Sequence, residues 1–320
     1  MTKIVCLDSF PADTGDVNWD RVKTLGRLTL YPNTLPDQIV ERAANADVVL
    51  TNKVRLDAVT LAQLPKLRMI GVLATGYDII DLAAATEQRI TVCNIPGYST
   101  AAAAQLSIAL LLELTHGAGA HSAAVHTGEW ARQPAFAYWR QPLVELDGKT
   151  MAILGFGAIG QRVGAIAQAL GMKVITPALP GRERTDRMPL DEALATADVI
   201  SVHCPLTPGT RGIIGRDNIA KMKPGVLIVN AGRGPLVDEH AVREALDVGH
   251  IGGFAADVLS VEPPAANHPL FNAPRPVLTP PIGWAALAAR QRLIDWTAES
   301  IEAFLHGAPI RVVAGPGFNA

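Results

Sequence analysis

Residues 151–160 read Met-Ala-Ile-Leu-Gly-Phe-Gly-Ala-Ile-Gly. Apolar residues of strand length run into a Gly-x-Gly-x-x-Gly turn, and the stretch from Gln161 to Leu170 has helical periodicity. Three glycines in this register are weak by themselves. Between a strand and a helix they acquire a physical meaning. Gly155 permits the tight turn, Gly157 lets a pyrophosphate approach the backbone, and Gly160 lets helix and strand pack closely. Unpaired N–H groups of the first helical turn, where Ala158 and Ile159 lie, combine with the helix dipole to make an anion site. The stretch predicts a dinucleotide-binding βαβ unit, with a ligand-free strand–helix turn as the plain alternative.

Outward from this turn, apolar runs of strand length alternate with helical patterns along the chain. Val48–Leu50, Met69–Leu73 and Ile90–Cys93 read as strands before it; Lys173–Thr176, Val199–His203, Val226–Asn230, Gly252–Asp257 and Val277–Thr279 read as strands after it. Their hydrophobicity is continuous rather than alternating, as expected of parallel strands covered on both faces. The expected fold is α/β, with two Rossmann-like, doubly wound parallel sheets. A long Ala/Leu helix from Ala101 to about Ala118 opens the second half, and one long amphipathic helix, Ala285 to His306, returns the chain to the first. This layout gives a discontinuous domain, residues 1–100 with 286–320, and an inserted NAD(P)-binding domain, residues 101–285.

Composition narrows the partners. The 320 residues include 28 Lys and Arg against 30 Asp and Glu, a net charge of −2 with no basic run. No broad positive field is available for nucleic acid or an anionic membrane. Three distant cysteines, Cys6, Cys93 and Cys204, form no CxxC pair, which argues against a disulfide framework or a cysteine-rich zinc site and for a reducing cytoplasm. The first residues lack a signal peptide's apolar core, and Ala101 to Leu114 is too short to span a bilayer. The histidines His116, His121 and His126 are five apart, a spacing that does not bring helical ligands together, so no metal is expected. P-loop, zincin, esterase and kinase motifs have no match.

An NAD site wants an Asp or Glu about 20 residues beyond the glycine turn, at the end of the second strand. After Lys173-Val174-Ile175-Thr176 the chain instead has Pro-Ala-Leu-Pro-Gly-Arg-Glu-Arg. The missing carboxylate, with Arg182 and Arg184 close behind, leans toward NADP over NAD, because guanidinium can pair with a 2′-phosphate. Solvated loop arginines are the competing reading.

Further segments complete a pattern: Leu73-Ala74-Thr75-Gly76-Tyr77-Asp78, Asn94 to Thr100 (Asn-Ile-Pro-Gly-Tyr-Ser-Thr), Val202-His203-Cys204-Pro205-Leu206-Thr207, Asn230-Ala231-Gly232-Arg233-Gly234, and Ala256-Asp257-Val258 followed by Glu262-Pro263. In this order they resemble the D-isomer-specific 2-hydroxyacid dehydrogenase family over almost the whole chain, its glycerate dehydrogenases and hydroxypyruvate–glyoxylate reductases most of all. The resemblance implies a flavodoxin-like substrate domain in the discontinuous half, an active site between the domains, and a homodimer built partly by the Ala101–Ala118 helix and the aromatic segment Gly128–Pro142. Those aromatics covering their own domain is the alternative. It implies that Arg233 binds and polarises a 2-oxo acid, that Ala74, Thr75 and Gly76 hold its carboxylate through backbone N–H groups, and that Asp257 holds the nicotinamide carboxamide. Glu262 matches the carboxylate that orients a catalytic histidine, while Thr100 and Pro205 match positions near the cofactor. Lys53 lies near the carboxylate loop in the same scheme.

One position departs. Where the resemblance implies Thr-Pro-His, the chain has Thr279-Pro280-Pro281, so Pro281 occupies the place of the general acid. Proline has no titratable group and no N–H. Three explanations fit: an introduced or incidental change in an active enzyme, a natural departure using another acid, or an NAD(P)-binding sensor or interaction protein that no longer turns over. His268 is the one substitute acid nearby in sequence, in a Pro-flanked segment where a surface position is the ordinary expectation.

Overall fold

The computed structural model describes residues 1–181, 185–316 and 318. Arg182 and Arg184 therefore lie outside the described residues. The chain divides into two compact units, Met1–Ser99 with Trp284–Ala320, and Thr100–Gly283.

In the first unit β1 (Lys3–Cys6), β2 (Arg27–Leu30), β3 (Val48–Thr51), β4 (Met69–Val72), β5 (Thr91–Cys93) and β12 (Val312–Ala314) form one sheet, ordered β12-β5-β4-β3-β1-β2. The second unit holds β6 (Thr150–Leu154), β7 (Lys173–Ile175), β8 (Val199–Val202), β9 (Val226–Asn230), β10 (Ile251–Ala256) and β11 (Pro276–Leu278), ordered β11-β10-β9-β8-β6-β7. All pairings are parallel except β12 on β5. Each sheet thus starts one strand in from an edge, steps to that edge and reverses, with the switch point between β1 and β3 in one unit and between β6 and β8 in the other.

The continuous hydrophobicity has its explanation in the second sheet. Ala152, Leu154, Ile200, Val202, Ile228 and Phe254 point into one core, and Met151, Ile153, Val199, Leu227, Val229 and Ala255 into a second core on the other face. Side chains alternate between faces, and both faces are buried. The helices Thr100–His116 and Ala158–Ala169 cover the second of these faces. The long Ala/Leu helix ends at His116, two residues before the expected end near Ala118. Gly117 takes a left-handed φ of 57° and starts a new helix, Ala118–His126. Beyond it Trp130, Phe136 and Trp139 are 50, 92 and 66% exposed, so these three do not cover their own unit. Among the described residues no single helix is long and apolar enough to cross a membrane.

The helix Leu287–Leu305 belongs to the first unit, where it meets β4 and the helix Asp20–Leu25. Arg290 on this helix is buried and donates to both carboxylate oxygens of Asp16 at 2.6 and 2.7 Å, as well as to the carbonyls of Ala285 at 2.8 Å and Ala12 at 3.3 Å. Charge-assisted bonds of this kind tie the segment after β1 to the returning helix. Replacing Arg290 with Met is expected to lower the unfolding free energy by about 1–3 kcal/mol, the scale of hydrogen bonds to a charged group. Urea titration reads the loss, and an unchanged midpoint would mean that the contact is not structural.

Candidate active site

The Gly155 turn follows β6 at the switch point of the second sheet. Gly155 has φ 103°, and a Cβ on it would stand 2.4 Å from the backbone nitrogen of Cys204, just past β8. A Cβ on Gly160 would stand 2.2 Å from the Gly155 carbonyl oxygen. Gly157, the N-cap of the helix Ala158–Ala169, faces open space, with nothing within 4 Å of its missing Cβ. The N–H groups of Phe156, Gly157, Ala158 and Ile159 have no partner among the described residues. These are the donors a phosphate needs, held by two glycines that are sterically obligatory and opened by one that is not.

Beside this turn, at the ends of β7 and β8, a cavity of about 260 Å³ is lined by Leu179, Pro180, Pro205, Thr207 and Thr210. Thr210 Oγ1 donates to the Pro205 carbonyl at 2.7 Å and accepts the Thr207 N–H at 2.8 Å, which fixes the cavity wall. In the same Val202–Pro205 stretch, His203 Nε2 lies 2.7 Å from Ser201 Oγ. Burial pushes the His203 imidazole down to about 4, leaving it neutral near pH 7, and its Nδ1 has no partner.

A second group of residues gathers past β9, β10 and β11. Asn230 ends β9. Its side chain accepts the Gly232 N–H at 3.1 Å and donates to the Arg233 carbonyl at 3.1 Å, shaping the turn that presents Arg233. A Cβ on Gly234 would fall 1.9 Å from the Leu259 carbonyl oxygen, so the Arg233 turn rests directly on the segment leading to Glu262. Glu262 Oε1 in turn accepts the Leu259 N–H at 2.9 Å. Both Arg233 and Glu262 are exposed. Arg233 makes no ion pair among the described residues, and its guanidinium donates to the Gly232 carbonyl alone at 2.8 Å.

Asp257, just past β10, is 5% exposed. Its Oδ2 accepts the Gly283 N–H at 3.0 Å, while Oδ1 is buried without a partner. Burial raises its carboxyl above the ordinary carboxylate range; the Gly283 bond opposes this, Glu262 adds to it, and Arg233 opposes it. Thr279 bonds back to the Ala256 carbonyl at 3.0 Å, and its Oγ1 is likewise buried without a partner. Two orphaned polar atoms thus lie at the ends of neighbouring strands, where a polar ligand would satisfy them. Thr279 was legible only as part of a motif; its orphaned hydroxyl is visible in three dimensions alone. Pro281 is exposed, two residues before Gly283. Thr100 is half-buried at the start of its helix.

In the first unit Ala74, Thr75 and Gly76 follow β4. Their carbonyls and neighbours are tied back into the protein: Asn52 Nδ2 donates to the Leu73 carbonyl at 2.6 Å, Ile95 N–H to Ala74 at 2.9 Å, and Asn94 Nδ2 to Thr75 at 2.7 Å. The N–H groups of all three loop residues are without partners among the described residues. At the adjacent switch point the buried Asp8 accepts N–H bonds from Asn52 at 2.7 Å, Lys53 at 2.5 Å and Val54 at 3.1 Å. Burial raises the Asp8 carboxyl even against those bonds.

His268 is not a surface residue. Its side chain is buried against Glu239, with Nε2 at 3.0 Å from Oε2, and its Nδ1 accepts the Leu270 N–H at 3.4 Å. Both ring nitrogens are committed, so it does not stand in for the acid at position 281. Burial pushes the Cys93 thiol up to about 12 and Cys204 up to about 11, so neither is a thiolate nucleophile. Among the described residues no group of three His, Cys, Asp or Glu side chains is placed to hold a metal ion.

Comparison with known proteins gives the family. The D-isomer specific 2-hydroxyacid dehydrogenase NAD binding domain matches residues 108–283. A hydroxypyruvate reductase of Blautia hydrogenotrophica is 44% identical over 320 residues, covering 97% of this chain and 99% of that one. The chain belongs to the D-isomer specific 2-hydroxyacid dehydrogenase family. A glycerate dehydrogenase of Methylorubrum extorquens is 39% identical over 280 residues, 87% of this chain and 88% of that one. A crystal structure of a Thermus thermophilus protein matches with a TM-score of 0.85 at 33% identity, covering 98% of this chain and 100% of that one. The molecule is therefore an oxidoreductase of this family with an NAD(P)-binding second unit. In this dehydrogenase the Gly234 contact is the tightest link between the Arg233 turn and the Glu262 segment. Gly234→Ala is expected to cost about 1–3 kcal/mol through overpacking. An unaltered thermal midpoint would show that the two segments do not touch.

Proposed function

We propose that this dehydrogenase reduces a small 2-oxo acid, hydroxypyruvate or glyoxylate, to the D-2-hydroxy acid with NAD(P)H. The observation that carries the reading is Arg233: a guanidinium without an ion pair among the described residues, at a strand end of the NAD(P)-binding unit, whose charge acts on the buried Asp257 carboxyl. Its planar fork donates to both the carboxylate and the keto oxygen of a 2-oxo acid and stabilises the charge that develops on that oxygen. In the first unit the free N–H groups of Ala74, Thr75 and Gly76 are donors suited to a carboxylate. The names of the relatives at 44 and 39% identity supply the substrate class.

The residues present fit a nicotinamide dinucleotide. Asp257 Oδ1 would accept from, and Thr279 Oγ1 would donate to, the carboxamide. Phe156 to Gly160 would hold the pyrophosphate, Thr100 is a further candidate for the phosphates, and the cavity at Pro205 would take the adenosine end. When bound, the cofactor supplies the hydride. The sequence has no acid at the end of β7, which favours NADP over NAD, and Arg182 and Arg184 are the candidates for the 2′-phosphate. Gly157→Ala is expected to leave the thermal midpoint unchanged and weaken NADPH binding at least about tenfold, the scale of one lost charge-assisted hydrogen bond. Gly160→Ala is expected to lower both. Equal affinity in Gly157→Ala, measured by NADPH fluorescence, would remove the phosphate from this turn. The exposed Trp130, Phe136 and Trp139 are suited to a second copy of the chain, which favours a homodimer, and the near-neutral charge with three buried thiols suits the cytoplasm.

Pro281 leaves the keto oxygen without a protein acid, and the proton comes from water. A positioned general acid is worth about 10² to 10⁴ in rate, so Pro281→His is expected to raise NADPH oxidation with hydroxypyruvate or glyoxylate by that factor. If both forms bind NADPH and neither turns over a 2-oxo acid, the second reading, an NAD(P)H-binding sensor on the same fold, replaces the first.

A further inference from the structure

We propose that Glu239 and His268 form a clamp that positions Arg233 and Glu262. The inference rests on the reading of those two residues given above. Glu239 opens the helix Glu239–Asp247, directly after the N-cap Asp238. Its two carboxylate oxygens serve two different segments: Oε1 accepts the Ser260 N–H at 2.8 Å, and Oε2 accepts His268 Nε2–H at 3.0 Å. The Leu270 N–H on Nδ1 fixes the imidazole as the Nε2–H tautomer, which is the one Glu239 requires. Leu270 itself is fully buried in the core of the second unit.

A continuous set of contacts therefore runs from the core to the site. Leu270 anchors His268, His268 orients Glu239, and Glu239 holds Ser260. The adjacent Leu259 gives its N–H to Glu262 and sets its carbonyl against Gly234, beside Arg233. Leu259 packs against the core of the second unit, but Ser260, Val261 and Glu262 beyond it are all exposed and have no core contact to place them. Beyond Leu259, position comes from the polar anchor that Glu239 gives Ser260. The Glu239 carboxylate, shared between a backbone N–H and a neutral imidazole, serves to fix geometry.

The test uses the full chain. In Glu239→Gln the carboxamide cannot accept from both Ser260 N–H and His268 Nε2–H. Without ligand, hydrogen exchange in residues 258–263 is expected to accelerate about tenfold or more, and KM for hydroxypyruvate to rise about tenfold, the scale of one lost charge-assisted bond, with NADPH affinity unchanged. His268→Gln keeps an N–H donor and is expected to retain near-native exchange and KM, whereas His268→Leu loses both; this pair decides the matter even where Glu239→Gln folds poorly. A role in stability alone would lower the thermal midpoint and leave KM in place. Unchanged exchange and KM in Glu239→Gln and His268→Leu, with KM raised in Arg233→Met, overturns the clamp and leaves the substrate reading standing. Unchanged KM in Arg233→Met overturns the substrate reading, and the clamp with it.

Discussion

Parallel strands in each sheet direct their carboxyl ends to one side, and the reversal of strand order opens a gap there that the rest of the site depends on. At that gap neighbouring connections part in opposite directions, and backbone N–H groups are left without internal acceptors. Such donors attract anions without any ionised side chain, which is how a chain of net charge −2 can bind phosphates and carboxylates.

The two units treat the same gap differently. Between β1 and β3, Asp8 inserts its own carboxyl group onto the N–H groups of Asn52, Lys53 and Val54, so that switch point is already filled. Between β6 and β8, Gly155 and Gly160 press helix and strand together and no side chain enters, leaving the N–H groups beyond them free. One topology therefore serves dinucleotide binding in the second unit only. In the first, the free donors are displaced one strand along, to the loop of Ala74, Thr75 and Gly76.

Much of this was legible in the sequence, for definite reasons. β6, β8 and β9 are buried on both faces and announce themselves as unbroken apolar runs. β2 and β12 went unread because they are three- or four-residue edge strands, half-buried, with no such run to show. The long helix stops about two residues short of its apolar pattern because Gly117 breaks it through backbone conformation, not through loss of hydrophobicity. At the site, the glycines and Arg233 were readable because local geometry demands those residue types. The orphaned Thr279 hydroxyl and the Glu239–His268 pair join residues far apart in the chain, and nothing local distinguishes them from ordinary surface polar residues. His268 is the instructive case: its Pro-flanked context reads as surface, whereas Leu270 drags it into the interior.

Pro281 separates binding from chemistry. In the second unit the free N–H groups after Gly155, the orphaned Asp257 Oδ1 and the Arg233 guanidinium suit a dinucleotide and a carboxylate, and the group absent at position 281 is the one that would move a proton. Binding is thus the property on which everything else rests, and amide-resolved nuclear magnetic resonance of the full chain tests it most directly. Titration with NADPH should shift the amides of Phe156, Gly157, Ala158 and Ile159, and subsequent addition of oxamate, an unreactive 2-oxo acid mimic, should shift those of Thr75 and Gly76. If both ligands bind while these amides stay unmoved, the backbone anion sites are not where cofactor and substrate go.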